Sequence, residues 1–192
     1  MKYCFSFLLF IVLLVSCGSR DTRSAQKAPV IGAVNPRTPL RQDDADRGRD
    51  APALTFRMGE AAVKKGEVAC LPVEVSGFTN MLAFQYTIRF DSAAVKFHSV
   101  RNLALPGYQV DNFGTRFADR GYLSTLWTAR DVVKGNTLAT DHKLYELCFT
   151  NLQQKGASTE IKFANGPTAF EVVGPNMARY RLVHANGTIT GK

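Results

Sequence analysis

Three histidines, four cysteines and a scatter of carboxylates are the side chains of this sequence that could carry chemistry. His98, His142 and His184 lie far apart in the chain, and neither a His-x-x-x-His nor a Cys-x-x-Cys spacing occurs. Such spacings place zinc ligands on one surface, and without them no metal set is legible. There is no Gly-x-Ser-x-Gly elbow to present a nucleophile. A phosphate-cradling glycine loop and a calcium loop with alternating acidic residues are also missing. A glycosidase needs two carboxylates about 5 to 10 Å apart across a cleft. Asp91, Asp111, Asp119, Asp131, Asp141, Glu146 and Glu171 are available, but most fall at turns. Aspartates there cap backbone groups. The expectation is a non-catalytic chain with no cofactor and no metal.

The compartment is written at the start of the chain. Lys2 precedes the apolar run from Phe5 to Val15. That run is too short for a bilayer span, which needs about 20 residues, and suits the apolar core of a signal peptide. Leu14-Val15-Ser16-Cys17 resembles the lipobox of bacterial lipoproteins. The resemblance implies cleavage before Cys17 and a diacylglycerol on its thiol. Gly18 and Ser19, with no aspartate after the cysteine, are compatible with outer-membrane sorting. Residues 18–52 are rich in Arg, Asp, Pro and Ala and hold no aromatic residue. Such a stretch buries too little apolar surface to offset chain entropy. The expected organisation is a signal peptide over 1–16, a lipidated N-terminus and flexible linker over 17–52, and one domain over 53–192. The net charge is +8. The excess is spread over Lys64-Lys65, Arg101, Arg116, Arg120, Arg130, Arg179 and Arg181, with no block or stripe along the sequence. Together with export, this excludes nucleic acid as a partner and leaves at most a weak attraction to acidic lipids or glycans.

The domain must position its functional side chains on strands. In Met81–Phe90, the residues Leu82, Phe84, Tyr86, Ile88 and Phe90 alternate with Ala83, Gln85, Thr87 and Arg89. Period two predicts a strand with one buried and one exposed face. Further strands are expected over 53–58, 67–75, 95–97, 121–128, 144–150, 159–163, 170–173, 180–183 and 188–190. Residues 59–66 are expected to be a short connection, and Asn186-Gly187 a hairpin turn. Pro72 must aim its nitrogen at a bulge or edge. No window reads as a long amphipathic helix. This pattern predicts an all-β sandwich.

With Cys4 in the signal and Cys17 acylated, Cys70 and Cys148 remain. Each sits one position from an inward residue, and an oxidising compartment permits a bridge. A Cys70–Cys148 disulfide between adjacent strands is the expectation; two separate thiols are the alternative.

Several blocks together resemble a family. They are Lys65-Gly66-Glu-Val-Ala-Cys70-Leu-Pro72-Val73, Phe78–Asp91, Ala94-Val95-Lys96-Phe97, Asn102–Gly107, Asn112-Phe113-Gly114, Gly121–Trp127 and Leu144–Phe149. In order and spacing, residues 54–190 resemble a cohesin module, specifically the cohesin-like domains of Bacteroidetes envelope proteins. The resemblance implies a nine-stranded jelly-roll β-sandwich, related to carbohydrate-binding modules, whose one sheet face holds a dockerin module borne by a glycan-degrading enzyme. By that likeness Gln85, Thr87, Arg89 and Leu126 form the partner-binding face. A protein adaptor linked to polysaccharide utilisation is the first function expected. A glycan-binding module is the second, with Tyr108, Tyr122 and Trp127 as a sugar platform if exposed, although core burial of Trp127 competes with that role. A structural envelope lipoprotein is the third. Asp91-Ser92-Ala93 resembles an O-glycosylation acceptor of exported Bacteroidetes proteins, with Ser92 as the modified residue.

Overall fold

A computed structural model describes residues 27–39, 41–42 and 52–192. The signal peptide, Cys4, Cys17 and the stretch 43–51 lie outside the described residues. Among those described, all regular structure is β apart from three single 3₁₀ turns, and no helix is long and apolar enough to cross a membrane.

Fourteen strands follow in chain order among the described residues: β1 (Val30–Ile31), β2 (Arg41–Gln42), β3 (Ala53–Met58), β4 (Glu60–Val63), β5 (Val68–Ser76), β6 (Ala83–Arg89), β7 (Val95–Arg101), β8 (Phe113–Gly114), β9 (Tyr122–Thr128), β10 (His142–Asn151), β11 (Ser158–Ala164), β12 (Glu171–Val173), β13 (Arg181–Ala185) and β14 (Gly187–Gly191). They form two sheets. Sheet I has the order β2-β13-β3-β5-β10-β7, with β1 added along β5. Sheet II has the order β4-β14-β11-β6-β9-β8, with β12 added along β6. The predicted β-sandwich is the observed one.

The inward residues interlock as aromatic pairs. Phe56 of sheet I meets Phe84 and Tyr86 of sheet II at 5.7 and 5.1 Å between ring centroids, both edge to face. Each such ring, fully buried, contributes about 1.5–3 kcal/mol of apolar transfer. Two polar pairs cross this core: the Tyr86 and Tyr145 hydroxyls at 2.6 Å, and Tyr108 to Thr125 Oγ1 at 2.6 Å. Burial holds all three phenols well above their ordinary range, so they stay neutral.

Two expectations fail at one corner. Residues 60–63 are a strand, not part of a connection, and Asn186-Gly187 is not a hairpin turn. At Gly59, β3 leaves sheet I and continues as β4 in sheet II; at Asn186, β13 does the same and continues as β14. The two chains cross side by side, with β13 parallel to β3 and β14 parallel to β4. A Cβ on Gly187 would meet the Gly59 carbonyl oxygen at 2.6 Å and Met58 Cγ at 2.7 Å, so only glycine fits the crossing. Asn186 is buried there, accepting from the Phe163 N–H and donating to Glu160. Its polarity serves the crossing, not a turn. Pro72 faces the same corner: its carbonyl takes the Gly59 N–H at 2.8 Å, so its missing donor falls where β3 departs.

The departure of β3 leaves the start of β5 without a neighbour on that edge. β1 fills the gap, pairing in parallel with Ala69 and Cys70, and the Gly32 N–H donates to the Cys70 carbonyl. Lys27 pairs with Glu67 and holds that carboxyl below its usual range. Residues 27–39, read from composition as linker, thus include a strand of the domain; the unpaired edge of β5 supplies hydrogen bonds that composition does not reveal.

Cys70 and Cys148 lie directly opposite one another on β5 and β10 and are joined as a disulfide, with 78 residues of sequence separation. Both point to the outer side of sheet I, as their parity requires. They are nonetheless buried, at the floor of a pocket of about 350 Å³ walled by Lys27–Pro29, His98, Ser99 and Arg101.

Candidate functional site

The outer face of sheet II is the one the sequence singles out, and cross-strand pairing arranges it in rows. At one end Val173, Ala83 and Thr128 stand side by side. Next come Glu171, Gln85 and Leu126, then Ala164, Thr87 and Ser124, and last Lys162, Arg89 and Tyr122. These rows exist because β6 runs between β9 on one side and β11 and β12 on the other. The inward partners Phe84, Tyr86, Ile88, Leu123 and Trp127 are buried and fix the register.

Leu126 is 49% exposed on the β9 side of this face, with Gln85 half-buried beside it. The Asn112 side chain donates to the Leu126 carbonyl at 2.9 Å and ties the preceding 3₁₀ turn to β9. That turn carries Val110, which is also exposed. Arg89 is exposed at the far end.

Thr87 departs from its expected role. It holds an outward position but is fully buried. Between β11 and β12 the chain leaves the sheet and folds over β6 as a strap of residues 165–170. Thr87 Oγ1 donates to the Thr168 carbonyl at 2.8 Å and accepts the Thr168 N–H at 2.9 Å. Thr87 therefore anchors the strap and is not available to a partner. No periodicity signals such a strap; Asn165-Gly166-Pro167 reads only as a turn.

The sugar platform also needs correction. Trp127 is 0% and Tyr108 4% exposed. Trp127 lies inward on β9, stacks on Phe84 at 5.5 Å and donates its indole N–H to the Pro106 carbonyl. Tyr108 enters the core between Phe84 and Tyr145. Of the three rings only Tyr122 reaches the outer face, and the Arg89 guanidinium covers it at 5.0 Å from the ring centroid.

The remaining chemistry-bearing side chains do not converge. His98 and His142 are exposed on β7 and β10, whereas His184 is buried against Phe163 and Phe170. Asp91 caps the Ala93 N–H, Asp131 caps those of Val133 and Lys134, and Asp141 accepts from the Ser76 hydroxyl. Glu146 is buried on sheet I. Burial pushes its carboxyl up, but Lys143 and Arg101, bonded at 3.0 and 2.8 Å, outweigh this and hold it below the usual range. Among the described residues no three His, Cys, Asp or Glu side chains gather as a metal site. Ser92 is exposed in the turn between β6 and β7.

A family model described as "Cohesin domain" matches residues 54–189. No curated protein matches the chain. Among solved structures, a type I cohesin–dockerin complex from Clostridium thermocellum is similar at 13% identity and a TM-score of 0.61, covering 73% of this chain and 99% of that one. The third cohesin of ScaC from Acetivibrio cellulolyticus, in complex with the ScaB dockerin, is similar at 17% identity and a TM-score of 0.60, covering 72% and 98%. A non-cellulosomal cohesin from the archaeon Archaeoglobus fulgidus follows at 11% and 0.52, covering 73% and 91%.

Proposed function

The chain belongs to the cohesin domain family, and from that premise we propose that it is a non-catalytic adaptor whose sheet II face docks a protein partner of the dockerin type. Cohesin domains are binding modules and not enzymes. The observation that carries the reading is Leu126, half exposed on an otherwise polar strand face, with Gln85 beside it and none of the described residues folded over it. A docking face needs such an apolar centre within a polar rim. The similar cohesins solved with dockerins share the fold.

The finer reading is that of a Bacteroidetes-type envelope lipoprotein. Its support is the sequence Leu14-Val15-Ser16-Cys17 after an apolar run, which favours a lipid anchor at Cys17 in the outer membrane. A role in polysaccharide utilisation follows from the same likeness, and Ser92, exposed in its turn, is the proposed glycosylation position. A carbohydrate-binding role is disfavoured, since two of its three proposed rings lie in the core.

The test is photocrosslinking in intact cells, with a photoreactive side chain at position 126 and a control at position 96 on β7. A discrete protein adduct from 126 and not from 96 is expected. Adducts of equal yield from both positions, or none from 126, would refute the docking assignment.

A further inference from the structure

Charges that are dispersed in the sequence come together at the Arg89 end of this face. A pocket of about 450 Å³ is lined by Arg89, Phe117, Arg120, Tyr122, Gly166 and Pro167. Phe117 is 44% exposed, and the Arg116 and Arg120 guanidinium groups each lie 5.5 Å from its ring centroid. Arg89 covers Tyr122. Among the described residues, none of these three arginines forms an ion pair. Lys162 stands directly across from Arg89 on the next strand. Like charges facing each other across a ladder destabilise a sheet, and Glu160 relieves only the Lys162 side, at 3.3 Å. A guanidinium stacked on a ring keeps its N–H edge free for a planar anion.

We propose that this pocket receives a carboxylate-bearing segment of the docked protein, so that the partner is acidic where it meets Arg89 and Arg120 and apolar where it meets Leu126. The proposal rests on the docking reading above and specifies its chemistry. A peptide is favoured over an acidic sugar for two reasons. The aromatic faces a sugar ring would need are already covered by guanidinium groups, and the pocket lies on the same outer side of β9 as Leu126, along Tyr122, Ser124 and Leu126 and beside the strap that covers Thr87.

The test uses the full chain, solubilised in detergent, at low salt. The probes are a short capped peptide of Glu, Leu and Gly, the same peptide with Gln for Glu, trigalacturonate and inorganic phosphate. Binding of the Glu peptide is expected to exceed that of the Gln peptide by about tenfold and to weaken with salt. Arg89→Ala and Arg120→Ala should each weaken it about fivefold or more, and Arg89→Lys should recover only part, because a lysine lacks the fork. Lys96→Ala, on the other sheet, should leave it unchanged. Equal binding of both peptides, insensitivity to the arginine variants, an equal loss with Lys96→Ala, or tighter binding of trigalacturonate or phosphate would each overturn the proposal. These arginines are exposed, and an unchanged urea midpoint verifies that the variants fold. The two readings fail separately: peptide binding without an adduct at position 126 removes the docking face and keeps the pocket, whereas an adduct at 126 untouched by the arginine variants does the reverse.

Discussion

Thr87 occupies an outward position of β6, yet its hydroxyl is spent within the molecule on both backbone groups of Thr168. Thr87→Val keeps the shape and deletes both bonds. Left unpartnered, the Thr168 groups make the expected loss about 1–3 kcal/mol, read as a lower urea midpoint together with faster amide exchange at Thr168. Unchanged exchange there would show that the strap is held by something else. Parity alone assigned Gln85, Arg89 and Leu126 to the surface, since their neighbours Phe84, Ile88 and Trp127 must go inward. It misjudged Thr87, because a returning segment from far along the chain decides burial there. Trp127 and Tyr108 teach the complementary lesson. The parity of β9 already sends Trp127 inward with Leu123, so its place was legible, whereas Tyr108 lies in an irregular crossing where no period operates.

The long strands were the legible elements. β6 and the two residues that flank it carry five alternating apolar side chains, Leu82 to Phe90, and β3, β5, β9, β10 and β11 lie within a residue or two of their expected spans. The corner at Gly59 and Asn186 was not legible. Asn-Gly is a turn signal in any local reading, and only the second crossing chain beside it converts the glycine into a contact point. Gly187→Ala is therefore expected to act as an overpacking change, not as a turn mutation. It should cost about 1–3 kcal/mol, and the loss should localise to β4 and β14, seen as reduced amide protection in Glu60–Val63. A neutral result would mean that the corner yields more than close packing allows. The cationic pocket was hidden for a related reason. Arg89, Arg116 and Arg120 sit on β6 and on the irregular segment before β9, so the sequence shows isolated charges where the fold makes a cluster.

At the scale of the whole molecule, the Cys70–Cys148 bridge joins the adjacent strands β5 and β10 of sheet I across 78 residues. Loop-closure entropy over that span sets an upper figure of about 4.5 kcal/mol, and bridges of this kind typically contribute about 2–4 kcal/mol. The double Cys70→Ser, Cys148→Ser variant should thus unfold at clearly lower urea than the parent, and intact mass of the unreduced parent should rise by two hydrogens on reduction. Equal midpoints would show that the unfolded chain gains nothing from the release. β1 secures the chain to the domain from Lys27 onward. Were Cys17 acylated as proposed, the roughly ten residues from it to Lys27 could reach at most about 35 Å, against about 120 Å for a chain of the length from Cys17 to Pro52. A domain so tethered would stay near the lipid headgroups, and whatever it captured would have to come to the bilayer to be held.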